Sequence, residues 1–458
     1  MNSQLEASKG LLALSVKVDT DFTKQKGLTD MYTKNLMKEI LSHENIELAI
    51  GQVRRNKGKP GVDGMTVDEV KAYFVRNGLE VRKQILQRQY NPQPVLRVEI
   101  PKPNGGVRLL GIPTVVDRVI QQAISQVITP IFDAEFSQYS YGFRPRKRAE
   151  MAIQQALEYM NEGYQWVVDI DLERFFDTVH HDRLMNLVAR TIEDGDVISL
   201  IRKYLVSGIR TDEGDIESTM GTPQGGNLSP LLSNIMLNEL DKELESRQLR
   251  FVRYADDCII LVKSEMSARR VMRNIVRFIE DKLGLIVNAE KSKIVRPNNP
   301  EFKFLGFGFF WGRKERKYLP KPHEIAINNF RKKIKYLTKR SWGVNTKYRV
   351  QKINENIRGW VNYFRIARMK MVLDKIDSNL RVRLRMCIWK LWKTPKNRRK
   401  QLRKLGMSTN EAYKNSYSSK SYARIAYSWV LTTTITNERL ARFGLLSASS
   451  YYQTKHVM

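Results

Sequence analysis

Three carboxylates carry the chemistry this sequence offers. Asp256 and Asp257 are adjacent inside FVRYADDCIILV, residues 251–262. The apolar, β-branched and aromatic runs on both sides predict two strands, with the acid pair at the tip of a hairpin. Neighbouring carboxylates repel each other and resist desolvation, so a fold keeps them together for solubility or for a cation. A lone Asp-Asp is ordinarily a solvated turn. These flanks are too apolar for a surface hairpin, which points to a site. A metal there needs a third carboxylate. In WVVDIDL, residues 166–172, Trp166, Val168, Ile170 and Leu172 face one way and Val167, Asp169 and Asp171 the other. Acids are disfavoured in a central strand, so Asp169 and Asp171 are the candidates. Asp171 on one strand with Asp256 and Asp257 on a hairpin is the arrangement nucleotidyl transfer needs. There, two Mg²⁺ ions about 3.5–4 Å apart activate a hydroxyl and stabilise the leaving pyrophosphate.

Other segments must frame such a site. Residues 95–113 read as a hairpin, with a Pro/Gly-rich turn at 101–106 and the cations Lys102 and Arg108 flanking its tip. That is either a solvated hairpin or a pair of cations over a triphosphate. SYGFRPRKR, residues 140–148, is a basic, aromatic loop. GTPQGGNLSP, residues 221–230, is a glycine-rich loop that brings backbone amides and Gln224 near the strands, with Ser229 fitting an N-cap and Pro230 the first helical position. Residues 265–284 predict an amphipathic helix closed by Gly284. Ile294 and residues 302–310 predict closing strands. Strands alternating with helices through residue 310 predict one α+β domain.

The bulk numbers set the partner class. The 458 residues exceed what one core serves, so two to four domains are expected. Lys plus Arg is 79 against 48 acids, a net charge of +31, which calls for a polyanion. Residues 331–404 hold 25 Lys/Arg against three acids, +22 of that charge. Ile353, Ile357, Trp360, Val361 and Phe364 recur at helical spacing there, predicting a core beneath a basic surface. Residues 393–400 read as a linker and 405–458 as a small helical unit with exposed Tyr side chains and Trp429. The two cysteines, Cys258 and Cys387, form no zinc knuckle and suit a reducing compartment. The apolar patch 11–16 is too short for a secretory signal, and no run approaches the 18 apolar residues of a membrane span. Nucleic acid is therefore the expected polyanion.

Assembled in order, these blocks resemble the reverse transcriptase–maturases of bacterial group II introns, over nearly the whole chain after about residue 31. Tyr254-Ala-Asp-Asp257 is similar to the family's YxDD hairpin, and Asp171 with Phe176 to its D-x4-F motif. Residues 222–230 are similar to its PQG loop, and 140–145 and 304–307 to its flanking blocks. IRGWVNYF, residues 357–364, is similar to the core of its maturase-specific region.

The resemblance implies a right-hand polymerase: α+β fingers, a palm with an antiparallel sheet and the YADD hairpin, a helical thumb, and a small helical C-terminal domain. The implied division is a loose extension 1–30, fingers and palm 31–312, thumb and maturase-specific domain 313–395, and a DNA-binding region 396–458. It implies two Mg²⁺ ions, or Mn²⁺ in their place, held by Asp171, the Leu172 carbonyl and Asp256, with Asp257 beside them. Asp171 is chosen over Asp169 because it opens the D-x4-F unit. Phe176 would be a steric gate against the ribose 2′-hydroxyl. Lys102 and Arg108 would grip the triphosphate, and Gln224 would line the nucleotide pocket. Arg358, Trp360, Arg381, Arg383 and Arg385 are the candidate RNA contacts. The implied partners are group II intron RNA, an RNA template–DNA primer duplex, dNTPs and target DNA, in the bacterial cytoplasm and at the nucleoid when on DNA. Many relatives carry a Cys-rich endonuclease, so the expectation is the short form without it. Two other readings stay open: a splicing helper with a decayed polymerase, and a host-encoded or defence reverse transcriptase.

Overall fold

The structure is a computed structural model and describes residues 34–101, 105–223 and 225–456. The N-terminal extension 1–30, Lys102 and Gln224 lie outside the described residues. The chain forms two compact units, the first built from residues up to 152 and 166–294, the second from 153–165 and 295–458.

In the first unit, β1 (Val95–Pro101) and β2 (Val107–Ile112) form the expected hairpin, with Ile100 opposite Arg108. β3 (Trp166–Ile170) follows, then a small hairpin of β4 (Ile209–Thr211) and β5 (Gly214–Ile216) that joins the β1–β2 sheet through β1. The second sheet has the order β6-β7-β3-β8, with β6 at Arg250–Tyr254, β7 at Asp257–Val262 and β8 at Lys293–Val295. β7 lies between β6 and β3 and pairs antiparallel with both. Its residues Cys258–Val262 are all buried, as an apolar central strand requires. Val168, Ile170, Phe251 and Ile260 join a core with the helices Val115–Glu135 and Ser229–Ser246. Val167 is fully buried too, so within the strand only Trp166 and Asp169 are less than buried, and Asp171 follows half-buried at its end.

Some expectations shift. The helix Ser229–Ser246 has Leu228 at its N-cap, and Ser229 Oγ instead donates to the Pro223 carbonyl, 2.8 Å away. The helix after the acid hairpin is α-helical over Glu265–Arg277 and π-helical over Phe278–Leu283, and ends at Gly284 as expected. The division between units comes at 294/295, before the position near 310 that alternation predicted.

The second unit opens with a hairpin of β9 (Phe307–Gly312) and β10 (Lys317–Pro322). Phe307 packs 4.8 Å from Phe364, which draws this hairpin to the helices behind it. The expected boundaries at 312/313 and 395/396 both fall inside this unit. The helices Glu324–Leu337, Thr346–Tyr363 and Lys370–Leu391 make its centre. Residues 395–404 are helical rather than a linker: the Thr394 side chain caps Asn397, Pro395 takes the first turn, and Leu402 is buried with Trp389 and Trp392. Lys396, Lys400, Arg403 and Lys404 make its exposed face, while Arg398 and Arg399 lie over the rings of Trp389 and Tyr413. Tyr413, Tyr417, Tyr427 and Trp429 of the terminal helices are exposed.

Candidate active site

The acid hairpin turns in two residues, Ala255 and Asp256, because Tyr254 pairs directly with Asp257. Ala255 has φ 56°, the left-handed conformation that tight hairpins demand. Asp256 thus sits half-buried at the turn itself, while Asp257 opens β7 and is exposed. On the neighbouring strand the last pair is Ile170 with Cys258, so Asp171 and Asp257 come one residue beyond it.

The backbone at Asp171 is laced to residues 286–292. Its carbonyl accepts from Asn288 N at 2.8 Å, its N–H donates to Ser292 Oγ at 3.1 Å, and Glu173 N donates to the Ile286 carbonyl. The Asn288 side chain accepts from Lys291 N, and this turn carries the Lys291 Nζ to 3.2 Å from Asp171 Oδ2.

Phe176 lies in the short helix Phe175–Thr178, edge-on to Phe175. Its carbonyl accepts from Thr222 N at 2.6 Å, so the glycine-rich loop is tied to the helix carrying the phenylalanine. His181 strengthens that tie through an Nε2 contact of 2.7 Å with the Gly221 carbonyl, and burial pushes its imidazole pKa down. The next turn of the loop runs against β2. Gly225 has φ 119°, and a Cβ there would stand 2.5 Å from the Gly111 carbonyl oxygen, so only glycine fits.

Asp171, Leu172, Phe176, Asp256, Arg108, Gly225, Gly226 and Lys291 line one cavity of about 850 Å³. Burial, and then the charge of Asp171, push the pKa of Asp256 up, while Arg108 draws it down. Asp257 does not line this cavity. Among the described residues no three His, Cys, Asp or Glu side chains gather into a cage that could hold a metal ion. Mg²⁺ seldom uses such a cage. It is held by one or two carboxylates plus waters and substrate phosphates, and Asp171, Asp256 and the Leu172 carbonyl fit that donor set.

The candidate RNA contacts fare unevenly. Arg358 is exposed and Arg381 half-exposed. Trp360 is stacked 4.6 Å from Phe330 and tilted 4.7 Å from Phe364, inside an aromatic cluster. Arg383 donates to Thr338 Oγ1 and the Lys335 carbonyl. Arg385 is buried and spends its donors on the Ile435 carbonyl and Asn437. Arg385 is therefore used inside the helical unit, while half-exposed Arg383 ties two helices and also lines an open cavity with Arg331, Lys335 and Lys375; alternation on a helix sent these side chains to different sides. Lys291 and Asn288, which also line the cavity, had no sequence signal beyond polar residues in loops, whereas exposed Phe143, which lines it too, belongs to the 140–145 block. In the 140–148 loop Arg144 is no solvated cation: it bonds Asp133 and the Ser137 and Ser140 carbonyls.

Paired carboxylates on an antiparallel palm sheet, faced by a glycine-rich loop, define the class of reverse transcriptases, RNA-directed DNA polymerases. The family described as reverse transcriptase (RNA-dependent DNA polymerase) matches residues 100–309, and the group II intron maturase-specific domain matches residues 327–406. The chain belongs to the group II intron reverse transcriptase–maturase family. It is similar to Protein YkfC of Escherichia coli (strain K12), 35% identical over 57% of this chain and 77% of YkfC. It is similar to the group II intron-encoded protein LtrA of Lactococcus lactis subsp. cremoris, 30% identical over 59% of this chain and 44% of LtrA. A chain of the solved partial Cas6-RT-Cas1–Cas2 complex is 26% identical over 54% of this chain and 43% of that one, with a TM-score of 0.36, too low to add to the fold assignment. The chain thus spans less than half the length of LtrA. Its two matched domains make it an RNA-binding protein, and among the described residues no helix is long and apolar enough to cross a membrane.

Proposed function

We propose that the chain is an active polymerase that copies its group II intron RNA into DNA for retrohoming, and a maturase that holds the folded intron for splicing. The observation that carries the polymerase half is the shared cavity of Asp171, Asp256, Phe176 and Arg108. Asp171, Asp256 and the Leu172 carbonyl would hold Mg²⁺, with Asp257 beside them. The bound ions would lower the pKa of a primer 3′-hydroxyl and neutralise the departing pyrophosphate. The chain's own residues do the rest. Arg108 draws the triphosphate to the mouth of the cavity. The Phe176 ring, set by Thr222 N on its backbone carbonyl and by Phe175 edge-on, leaves no room for a 2′-hydroxyl. Lys102 and Gln224 are proposed to contact the same nucleotide.

The maturase half rests on the basic helical unit. Binding that favours the folded intron stabilises it by mass action, with no chemistry from the protein. Exposed Arg358 and half-exposed Arg381 are the contacts proposed there. The proposed partners are intron RNA, a template–primer duplex, dNTPs and target DNA, and the proposed location is the bacterial cytoplasm and nucleoid.

The test runs primer extension on an RNA template beside intron splicing at limiting Mg²⁺, for wild type and Asp256→Ala. Extension lost with splicing kept is the expected result. Extension at the wild-type rate in Asp256→Ala would overturn the metal site. Absence of extension by the wild type would leave a splicing helper.

A further inference from the structure

Arg253 of β6 is 0% exposed, and so is its partner Asp241 on the helix Ser229–Ser246. Nε and Nη2 of Arg253 meet the two Asp241 oxygens at 2.7 and 2.5 Å. This is the bidentate fork that fixes a guanidinium in direction as well as position. The remaining nitrogen, Nη1, donates to Asn234 Oδ1 and to the carbonyl of Ala255, each at 3.0 Å. Ala255 is the left-handed residue of the acid turn, and its carbonyl belongs to the peptide that leads into Asp256.

The same peptide is braced from a second side. Asn234 Nδ2 donates to the Gly142 carbonyl at 2.9 Å. A Cβ on Gly142 would stand 2.2 Å from Ala255 N, so the loop backbone lies directly on the turn. Arg253 N donates to the Tyr139 carbonyl, and its own carbonyl accepts from Tyr141 N at 2.8 Å. A loop, a strand and a helix therefore converge on one turn.

A buried ion pair is weak evidence of stabilisation, because apolar residues of similar volume often serve the fold as well or better. An apolar pair cannot donate to the Ala255 carbonyl. Without that donor a non-glycine residue is left in a disfavoured backbone region with an unpaired carbonyl beside it.

We propose that Arg253 is a positioning residue for nucleotidyl transfer: braced by Asp241 and Asn234, its Nη1 holds the Ala255 carbonyl and so aims the Asp256 carboxylate into the cavity. The proposal rests on the reading of Asp256 as a metal-binding acid. Arg253 touches no reacting atom and acts through the turn.

The test is the double variant Arg253→Met/Asp241→Leu, which replaces the pair by apolar side chains and leaves no buried charge unpaired. Three readings are taken: thermal melting, amide hydrogen exchange of residues 254–257 in metal-free protein, and steady-state kcat and KM for dNTP on an RNA template. The expected result is an unchanged melt, faster exchange confined to the turn, and kcat lower by about 10²-fold, the scale of an ångström of misplacement, with KM for dNTP little altered. Arg253→Lys keeps a cation beside Asp241 without the fork. It is read the same way, and carries the test if the double variant does not fold. A folded variant with wild-type exchange, or with wild-type kcat, overturns the proposal. Asp256→Ala in parallel separates the two levels. If Asp256→Ala is dead while the Arg253 variants are fully active, only the positioning role fails. If Asp256→Ala is itself active, the acid assignment fails.

Discussion

Lys291 Nζ lies 3.2 Å from Oδ2 of Asp171, inside the cavity that also holds Asp256. The lysine is 68% exposed, so the pair is worth no more than about 0.2–1 kcal/mol and holds nothing together. Its interest is positional, since the ammonium occupies an oxygen that a divalent ion would use. On the proposed reading, an ion on that oxygen would free Lys291 to meet the incoming triphosphate. Lys291→Ala is therefore expected to act in two opposite directions. The Mg²⁺ needed for half-maximal extension should fall and KM for dNTP should rise, each by about five-fold or less on that energy scale. Crossed Mg²⁺ and dNTP titrations check it, and a shift of both constants in one direction would count against it.

Phe176→Val should raise rNTP use relative to dNTP. The backbone at this position is held by Thr222 N, so the short helix keeps its place when the ring is cut back. One missing steric contact in a pocket is worth about 1–3 kcal/mol, or about 10- to 200-fold in discrimination. Single-nucleotide incorporation with matched rNTP and dNTP measures it. Unchanged selectivity would remove Phe176 from the gate.

RNA affinity should fall steeply with salt. Residues 331–404 carry +22, yet Arg349 and Arg385 are buried and bonded to backbone carbonyls, so they release no counterions. With six or more phosphate contacts left, affinity should drop by about 10³–10⁵ between about 50 and 200 mM salt. Arg358→Glu with Arg381→Glu should flatten the slope, whereas Arg385→Gln should lower stability and leave the slope alone. Filter binding at graded salt, with a melt for each variant, distinguishes these outcomes.

Asp377 is one of only three acids in that basic stretch, and its use is structural. It is buried, and accepts from Ser447 Oγ at 2.6 Å, Ala448 N at 2.9 Å and Ser449 N at 3.0 Å. A remote carboxylate thus satisfies the first amides of the helix Ala448–Lys455. Asp377→Ala should cost about 1.5–3 kcal/mol, the worth of hydrogen bonds to a charged group. It should also raise hydrogen exchange in 448–455 ahead of the rest. A melt and exchange profile equal to wild type would refute this docking role.

Much of the site was readable because chemistry and local geometry coincide there. Two acids between apolar runs can be little else than a hairpin tip, and an acid at the end of an alternating strand announces its own exposure. The family blocks added Phe176 and the glycine loop, and the cavity contains the first and borders the second. The basic helices were legible as a class, since one-signed charge over 74 residues needs an anion, but not residue by residue. Alternation at Arg381, Arg383 and Arg385 does not say which guanidinium faces a neighbouring helix. At 393–400 a charged helix and a loop have similar compositions, and only the Thr394 cap and the buried Leu402 separate them.

The sequence alone determined most of the elements around the site, the acids and the family, because hydrophobic period, turn chemistry and motif order are local properties of the chain. Tertiary structure decided which charges work inside the protein and which face out. Arg144, Arg253, Arg349, Arg385, Asp241 and Asp377 look like surface charge in one dimension, yet each is a buried group with a distant partner. Lys291 also reaches Asp171 across 120 residues, but as an exposed pair at the cavity mouth. The physical reason is that a charge may enter the interior only where another segment supplies its hydrogen bonds, and which segment arrives there is set by the packing of the whole fold.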